Sequence, residues 1–409
     1  MSKKSEGLRV TYAKTVFGKN EINAVVRVLS NPEKIVAGPN VREFENKVAK
    51  LFGKKHGIMV NSGSSANLIA LETLGLPPGS EVITPALTFS TTVAPILQKK
   101  LKPVFVDIEL SKYNIDASKI ESRITKKTKA LMIPSLIGNF PNLLKIHRIA
   151  KKHKLWFIED SCDTIGGSFH GKPSGYFSDI STTSFYASHI VTAAGGGGMV
   201  SFNDDNLARK AKVLANWGRQ STLFGFYEKS EEIQRRFSNK LQGMPYDAKF
   251  IFSEVGYNFQ PLEIQAAFGL EQLKRLKGFI RIRKHNFSEL LKFFKNYEDF
   301  FILPEEQPDA NVVWLTFALI VRKGAPFTRF EITRFLEEKN IQTRPVMTGN
   351  VLRQPGFEKA LRTSGKPEEY PMANYVMENG FLIGAHQALT AEHLNRVKTV
   401  FKEFLGKYR

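Results

Sequence analysis

Apolar residues recur along this chain with two spacings. Across residues 40–52 (NVREFENKVAKLF), Val41, Phe44, Val48 and then Leu51 or Phe52 return every three to four positions, the stripe of one helical face. Residues 21–29 read the same way. Elsewhere apolar residues come in short runs, at 58–60, 81–85, 103–107, 130–134 and 155–159, with a further strand predicted over 182–186. Helices are predicted between them, at 68–74, ending near Gln98, and at 143–153. Short apolar strands alternating with helices predict an α/β fold with a mostly parallel sheet covered on both faces. Ligands of such sheets collect at the carboxyl ends of the strands. That rule gathers the loops beginning at Asn61, Phe89 and Asp160 into one place.

The second half of the chain changes character. Residues 220–247 form a polar, charged insertion, and residues 262–297 predict a long helical region broken near Gly278. A strand at 312–321, a helix at 329–340, a strand at 341–343 and a last helix at 391–408 follow. The expected division is a large domain over residues 1–260, then a linking helix and a smaller α+β domain over 261–409.

Composition narrows the function. With 409 residues, 42% of them hydrophobic, the chain can bury one large core and a second smaller one. Cys162 is the one cysteine. That excludes an internal disulfide framework and any four-cysteine zinc or iron–sulfur site within one chain, and it fits a reducing cytoplasm. The start, MSKKSEGLRV, has no apolar core and does not read as a signal peptide. The uncharged stretch 180–202 is rich in Gly, Ser and Thr and does not read as a membrane span. A soluble, cytoplasmic protein is expected. The net charge of +20 comes from scattered lysines with no interleaved aromatic stripe, so it reads as a solvated basic surface. No nucleic-acid-binding motif, repeat or low-complexity tract is present.

Two stretches carry candidate chemistry. Residues 61–67 (NSGSSAN) join a strand to a helix through small residues. Free amides and the helix dipole there favour an anion, although an ordinary capped helix start would look the same. Residues 179–199 (DISTTSFYASHIVTAAGGGGM) read as a strand, a tight turn holding His189, and a glycine run that lets the backbone pass close to a bound group. Taken singly, His189 could be a solvated turn residue, Phe89 core packing and Asp160 a helix cap.

Together these motifs resemble the DegT/DnrJ/EryC1/StrS family of nucleotide-sugar aminotransferases, over about residues 10–407. The resemblance implies a fold-type I pyridoxal-phosphate-dependent transferase. It also implies roles. Ser64, Ser65 and Ser184 would hold the cofactor phosphate, Phe89 would stack on its ring, and Asp160 would pair with the ring nitrogen. Asn258, in Gly256-Tyr-Asn-Phe259, would reach the phosphate of the neighbouring subunit, which implies a homodimer. In this family S-F-x-x-x-K carries the lysine that holds the cofactor covalently. Here that position is His189, and no lysine lies between Lys172 and Lys210. The glycine turn also departs from the family pattern, reading Ala193-Ala-Gly-Gly-Gly197 without its usual glutamate.

An imidazole cannot form the tether but carries protons well. With Asp163 where many of the aminotransferases have glutamine, the chain resembles the family's 3-dehydratase branch. The implied cofactor is pyridoxamine phosphate, cycling through pyridoxal phosphate, held without a covalent bond. The implied substrate is a nucleotide-linked 4-keto-6-deoxyhexose, and His189 would remove the cofactor C4′ proton and protonate the departing C3 hydroxyl. Glutamate is the expected amino donor. The 220–247 loop lacks the cysteines of the iron–sulfur dehydratases, so no cluster is expected. Arg219, Arg344 and His386 are candidate substrate contacts, Arg344 for a carboxylate. The rival readings are a sugar aminotransferase using His189, and an inactive regulatory or nucleic-acid-binding protein supported only by the charge.

Overall fold

The computed structural model describes residues 8–31, 35–224 and 232–408. Its centre is a seven-stranded sheet. In chain order the strands are β1 (His56–Val60), β2 (Glu81–Pro85), β3 (Lys102–Val106), β4 (Thr128–Pro134), β5 (Trp156–Asp160), β6 (Ile180–Ser184) and β7 (Gly198–Phe202). Their spatial order is β1-β7-β6-β5-β4-β2-β3. The run from β6 to β3 is parallel, and β7 pairs antiparallel with both β6 and β1. The apolar runs read from sequence are β1 to β5. β6 lies two residues before the expected 182–186, and β7, which opens on the glycine run, was not expected as a strand. β2, β6 and β7 are buried along their whole length.

Helices α1 (Lys19–Leu29), α2 (Pro39–Leu51), α3 (Gly63–Leu74), α4 (Ser90–Gln98), α5 (Leu143–Lys152) and α6 (Asp205–Ala215) accompany this sheet. On α2, Val41, Phe44 and Val48 are buried, as their spacing predicts. The structure corrects one boundary that matters. Helix α3 begins at Gly63, not at residue 68, because Ser62 caps it by accepting the Ser65 amide at 3.1 Å.

Helix α7 (Glu263–Phe294) then runs unbroken for 32 residues, against the expectation of a break at Gly278. A Cβ at Gly278 would meet nothing within 4 Å. Its neighbours Leu276, Phe279 and Arg283 are buried, and that packing offsets the roughly 1 kcal/mol a helical glycine costs. After α7 a second sheet forms from β8 (Phe301–Ile302), β9 (Phe317–Val321), β10 (Thr343–Pro345) and β11 (Gly380–Ile383), in the order β8-β9-β11-β10. Helices α8 (Arg329–Glu338) and α9 (Ala391–Leu405) pack beside it. The strand expected at 312–321 is half that length. Val312 to Trp314 are buried by packing, not by pairing, with Trp314 stacked on Phe287 at 4.9 Å. The N-terminal segment joins this second layer, where Val10 pairs with Ile341.

The 220–247 insertion holds a turn at Gln220–Phe224, a short helix at Ile233–Phe237 and a hairpin between Lys240–Leu241 and Met244–Pro245. Residues 225–231 of that insertion, and the residues 1–7 read for a signal peptide, lie outside the described residues. Among the described residues no helix is long and apolar enough to cross a membrane.

Candidate active site

The first turn of α3 sits against the ends of β6 and β7. Ser62 pairs with Gly197, and a Cβ at Gly198 would come within 2.3 Å of the Ser62 carbonyl group. Only glycine at 198 allows that approach. A Cβ at Gly63 would likewise meet Ser184 Cβ at 2.7 Å, which fixes how closely Ser184 lies to the helix start. Ser65 Oγ donates to Asn61 Oδ1 at 2.6 Å, and Ser64 is exposed. First-turn amides of a helix have no intrahelical acceptor, so this end, near Ser64 and Ser184, can offer N–H and O–H donors to an anion. In this structure the Ser65 amide and hydroxyl are given to Ser62 and Asn61.

Asp160 ends β5 and is 6% exposed. Its Oδ2 accepts from Asn67 Nδ2 at 2.8 Å and Thr92 Oγ1 at 2.9 Å, and Oδ1 accepts from the Cys162 amide at 3.3 Å. Asn67 is held in turn, its Oδ1 accepting from Thr182 Oγ1 at 2.6 Å. No cation forms an ion pair with this carboxylate among the described residues. A buried carboxylate so placed is set to receive a positively charged donor. Thr92 lies in the first turn of α4, so its bond to Asp160 ties that helix start to the carboxylate. Phe89, the residue capping α4, stands 51% exposed there.

The loop carrying His189 is closed at its neck. Phe185 donates its amide to Gly197 O at 2.9 Å and accepts at its own carbonyl from the Ala193 amide at 3.1 Å and Thr192 Oγ1 at 2.9 Å. Its ring packs edge-on against Phe44 at 4.8 Å. Within the loop the His189 amide donates to Tyr186 O at 3.0 Å. His189 Nδ1 lies 3.3 Å from Asp163 Oδ1 but is out of line for a hydrogen bond, so it is a buried nitrogen with no bonded partner. The carboxylate beside it favours the proton on Nδ1, which leaves the Nε2 lone pair free. Among the described residues nothing is hydrogen-bonded to Nε2. Asp163 is anchored by the Ile137 amide, which donates to its Oδ2 at 2.9 Å.

The remaining candidates separate. Asn258 is exposed between Tyr257 and Phe259, on a segment whose Phe259 carbonyl accepts the Asn61 amide at 3.0 Å. It therefore adjoins the α3 turn. Arg219 lies among the rings of Trp217, Phe250 and Phe252, at 4.8, 5.8 and 5.8 Å, with its Nε buried and unbonded. Arg344 is exposed on β10, 5.7 Å from the Tyr12 ring, and donates to Thr343 O at 2.6 Å. Burial and then the Asp163 charge push the Tyr12 hydroxyl above its ordinary range, against the pull of Arg344 and Arg283. These four groups therefore share one electrostatic neighbourhood.

His386 is a correction. It is 1% exposed, Nε2 faces Thr11 O at 2.9 Å, and Nδ1 accepts the Ala388 amide at 3.3 Å. Burial lowers its pKa to about 4, so it is a neutral strut for the N-terminal segment.

Several residues of the site carried no sequence signal. Asn67 and Thr92, which hold Asp160, look like ordinary helix residues. Thr15, whose Oγ1 donates to Ala187 O at 2.8 Å, comes from 172 residues away. Asn67 closes the NSGSSAN motif, and its place one turn beyond Ser64 is the one clue that could have marked it.

A family model described as the DegT/DnrJ/EryC1/StrS aminotransferase family matches residues 16–402. The chain belongs to that family. Among its relatives is the lipopolysaccharide biosynthesis protein RfbH of Salmonella typhimurium, 39% identical over 89% of this chain and 84% of the relative. Another is the GDP-4-keto-6-deoxy-D-mannose 3-dehydratase of Yersinia pseudotuberculosis, 32% identical over 96% of this chain and 98% of that one. The solved Escherichia coli GDP-4-keto-6-deoxy-D-mannose-3-dehydratase with bound hydrated PLP superposes with a TM-score of 0.85. It is 28% identical, with 96% of this chain and 99% of that chain covered. The fold is thus that of the PLP-dependent aminotransferases, and the protein is an enzyme of the sugar aminotransferase family. Among the described residues no group of three or more His, Cys, Asp or Glu side chains could hold a metal ion.

Proposed function

We propose that this enzyme is a 3-dehydratase acting on a nucleotide-linked 4-keto-6-deoxyhexose, with pyridoxamine phosphate held by non-covalent contacts. One observation carries the reading. His189, which by resemblance falls where the family has its tethering lysine, stands 3.3 Å from a carboxylate, and among the described residues nothing is hydrogen-bonded to its Nε2. The site residues fit the cofactor. Asp160 is buried and, among the described residues, has no ion-paired cation, as a protonated ring nitrogen requires, and Phe89 is half exposed beside it. The α3 start with Ser64, Ser65 and Ser184 would take the phosphate, and Asn258 would reach it from the same chain or a partner. Bound there, the group would supply an amine for the 4-keto carbon and an electron-accepting ring.

The protein's own part is proton transfer and positioning. His189 Nε2 accepts a proton, and the imidazolium so formed gives it to the C3 hydroxyl as that group leaves as water. Asp163, 3.3 Å from Nδ1, would place its negative charge beside the imidazolium that forms. Arg344 would bind the carboxylate of an amino donor such as glutamate, and Arg219 an anionic part of the sugar nucleotide. The protein would act as a homodimer, which would cover apolar residues such as Ile233 (74% exposed) and Val255 (94% exposed).

Product analysis tests the reading. Incubation with pyridoxamine phosphate and a panel of GDP-, CDP-, dTDP- and UDP-linked 4-keto-6-deoxy sugars should give a 3-deoxy-4-keto sugar and ammonia. An amino sugar as the product would overturn it in favour of transamination.

A further inference from the structure

Arg283 heads the largest side chains that are fully buried, at 1% exposure in the middle of α7. Among the described residues it forms no ion pair with a carboxylate. A buried cation in that state loses its hydration and needs its donors satisfied by other acceptors. Burial lowers its pKa to about 9, so it is still charged at neutral pH. Its donors have fixed targets. Nε donates to Gln387 Oε1 at 2.6 Å, and Nη1 donates to Leu315 O at 2.8 Å and Trp314 O at 3.4 Å.

A guanidinium has donors only, so the Gln387 carboxamide must turn its oxygen toward Arg283. Its NH2 then faces the other way, where Nε2 donates to Ile190 O at 3.4 Å. Ile190 is the residue after His189. From the opposite side, Thr15 Oγ1 holds Ala187 O at 2.8 Å. The turn that presents the imidazole is thus gripped at both ends by residues far away in sequence.

We infer that Arg283 is a positioning residue: by fixing the orientation of Gln387 it clamps the backbone at Ile190 and so holds the His189 ring against Asp163. The link to turnover rests on the role proposed above for His189; the clamp itself does not. Two substitutions separate the clamp from simple packing. Arg283→Met removes the donor that orients Gln387 and keeps most of the side-chain volume. Gln387→Glu keeps an oxygen for Arg283, and gives it a carboxylate partner, but has no N–H for Ile190 O.

The first readout is the 15N–1H correlation of the His189 imidazole in cofactor-free protein, with thermal melting as the control for folding. The second is steady-state kinetics of the holoenzyme. In both variants the His189 signals should shift or broaden while the melting temperature of Gln387→Glu does not fall. The turnover number should fall about tenfold, with KM for the sugar nucleotide within about twofold, the pattern of a misplaced proton carrier. Unchanged His189 signals in Gln387→Glu would overturn the inference, whatever turnover does, and that variant decides the matter if Arg283→Met does not fold. Altered signals with full turnover would support the clamp and overturn the catalytic role of His189.

Discussion

Replacing Asp160 by asparagine separates two effects that usually travel together. The change is isosteric and removes one buried negative charge. The carboxylate accepts from Asn67 at 2.8 Å and Thr92 at 2.9 Å, and among the described residues it has no ion-paired cation. Folding therefore keeps most of its hydrogen bonding and loses a desolvation cost, so stability should stay within about 1 kcal/mol of wild type. Cofactor binding should behave differently. A hydrogen bond between ionised partners contributes about 1.5–3 kcal/mol, against about 1 kcal/mol for a neutral one. The difference of about 0.5–2 kcal/mol predicts pyridoxamine phosphate binding roughly 2- to 30-fold weaker. The assay is a fluorescence titration with pyridoxamine phosphate, run beside a thermal melt of the cofactor-free protein. Unchanged affinity in a folded Asp160→Asn variant would refute the assignment of Asp160 to the ring nitrogen.

Other outcomes follow from the same geometry. His189→Asn should retain cofactor affinity within about threefold and lose roughly 10²- to 10⁴-fold in dehydration rate, as removal of a general acid–base does; single-turnover kinetics checks this. Phe89→Ala deletes an exposed ring, so its melting temperature should barely move, while cofactor affinity falls by about 0.5–1.5 kcal/mol in the same titration. Gly198→Ala drives a methyl group to within 2.3 Å of the Ser62 carbonyl, so it should destabilise the fold by about 2 kcal/mol or more in urea melts and weaken phosphate binding at α3. His386 is held neutral, with its pKa lowered from 6.5 to about 4. The unfolded chain takes up its proton first as pH falls, so its contribution is complete above pH 6.5 and lost between there and pH 4, up to about 3 kcal/mol. Urea melts of His386→Gln should show a shallower fall over that window.

How much was legible depended on how far each contact reaches along the chain. Strands such as β2, β4 and β5 announce themselves as apolar runs and could be read directly, whereas β7, which opens on the glycine run, was not expected. The α3 start, Phe89, Asp160 and the His189 turn could be marked because each sits where a strand ends. Their supports could not. Asp160 is held by Asn67 and Thr92, 93 and 68 residues away, and the His189 turn by Thr15 and Gln387, 172 and 197 residues away. No local pattern encodes such pairings. Local signals also misled where packing overrode them. Gly278 reads as a helix break but is carried by buried neighbours, and Val312 to Trp314 read as strand but are buried without pairing. His386 was marked by resemblance alone, and no local pattern in the sequence shows that it is buried.

The proposed function turns on His189 standing where the cofactor would otherwise be tethered. Borohydride reduction of the protein saturated with pyridoxal phosphate, followed by intact-mass and peptide analysis, tests this most directly. The account predicts no stoichiometric mass gain in the native protein and a one-to-one gain at position 189 in His189→Lys. A stoichiometric adduct on any lysine of the native chain would contradict it.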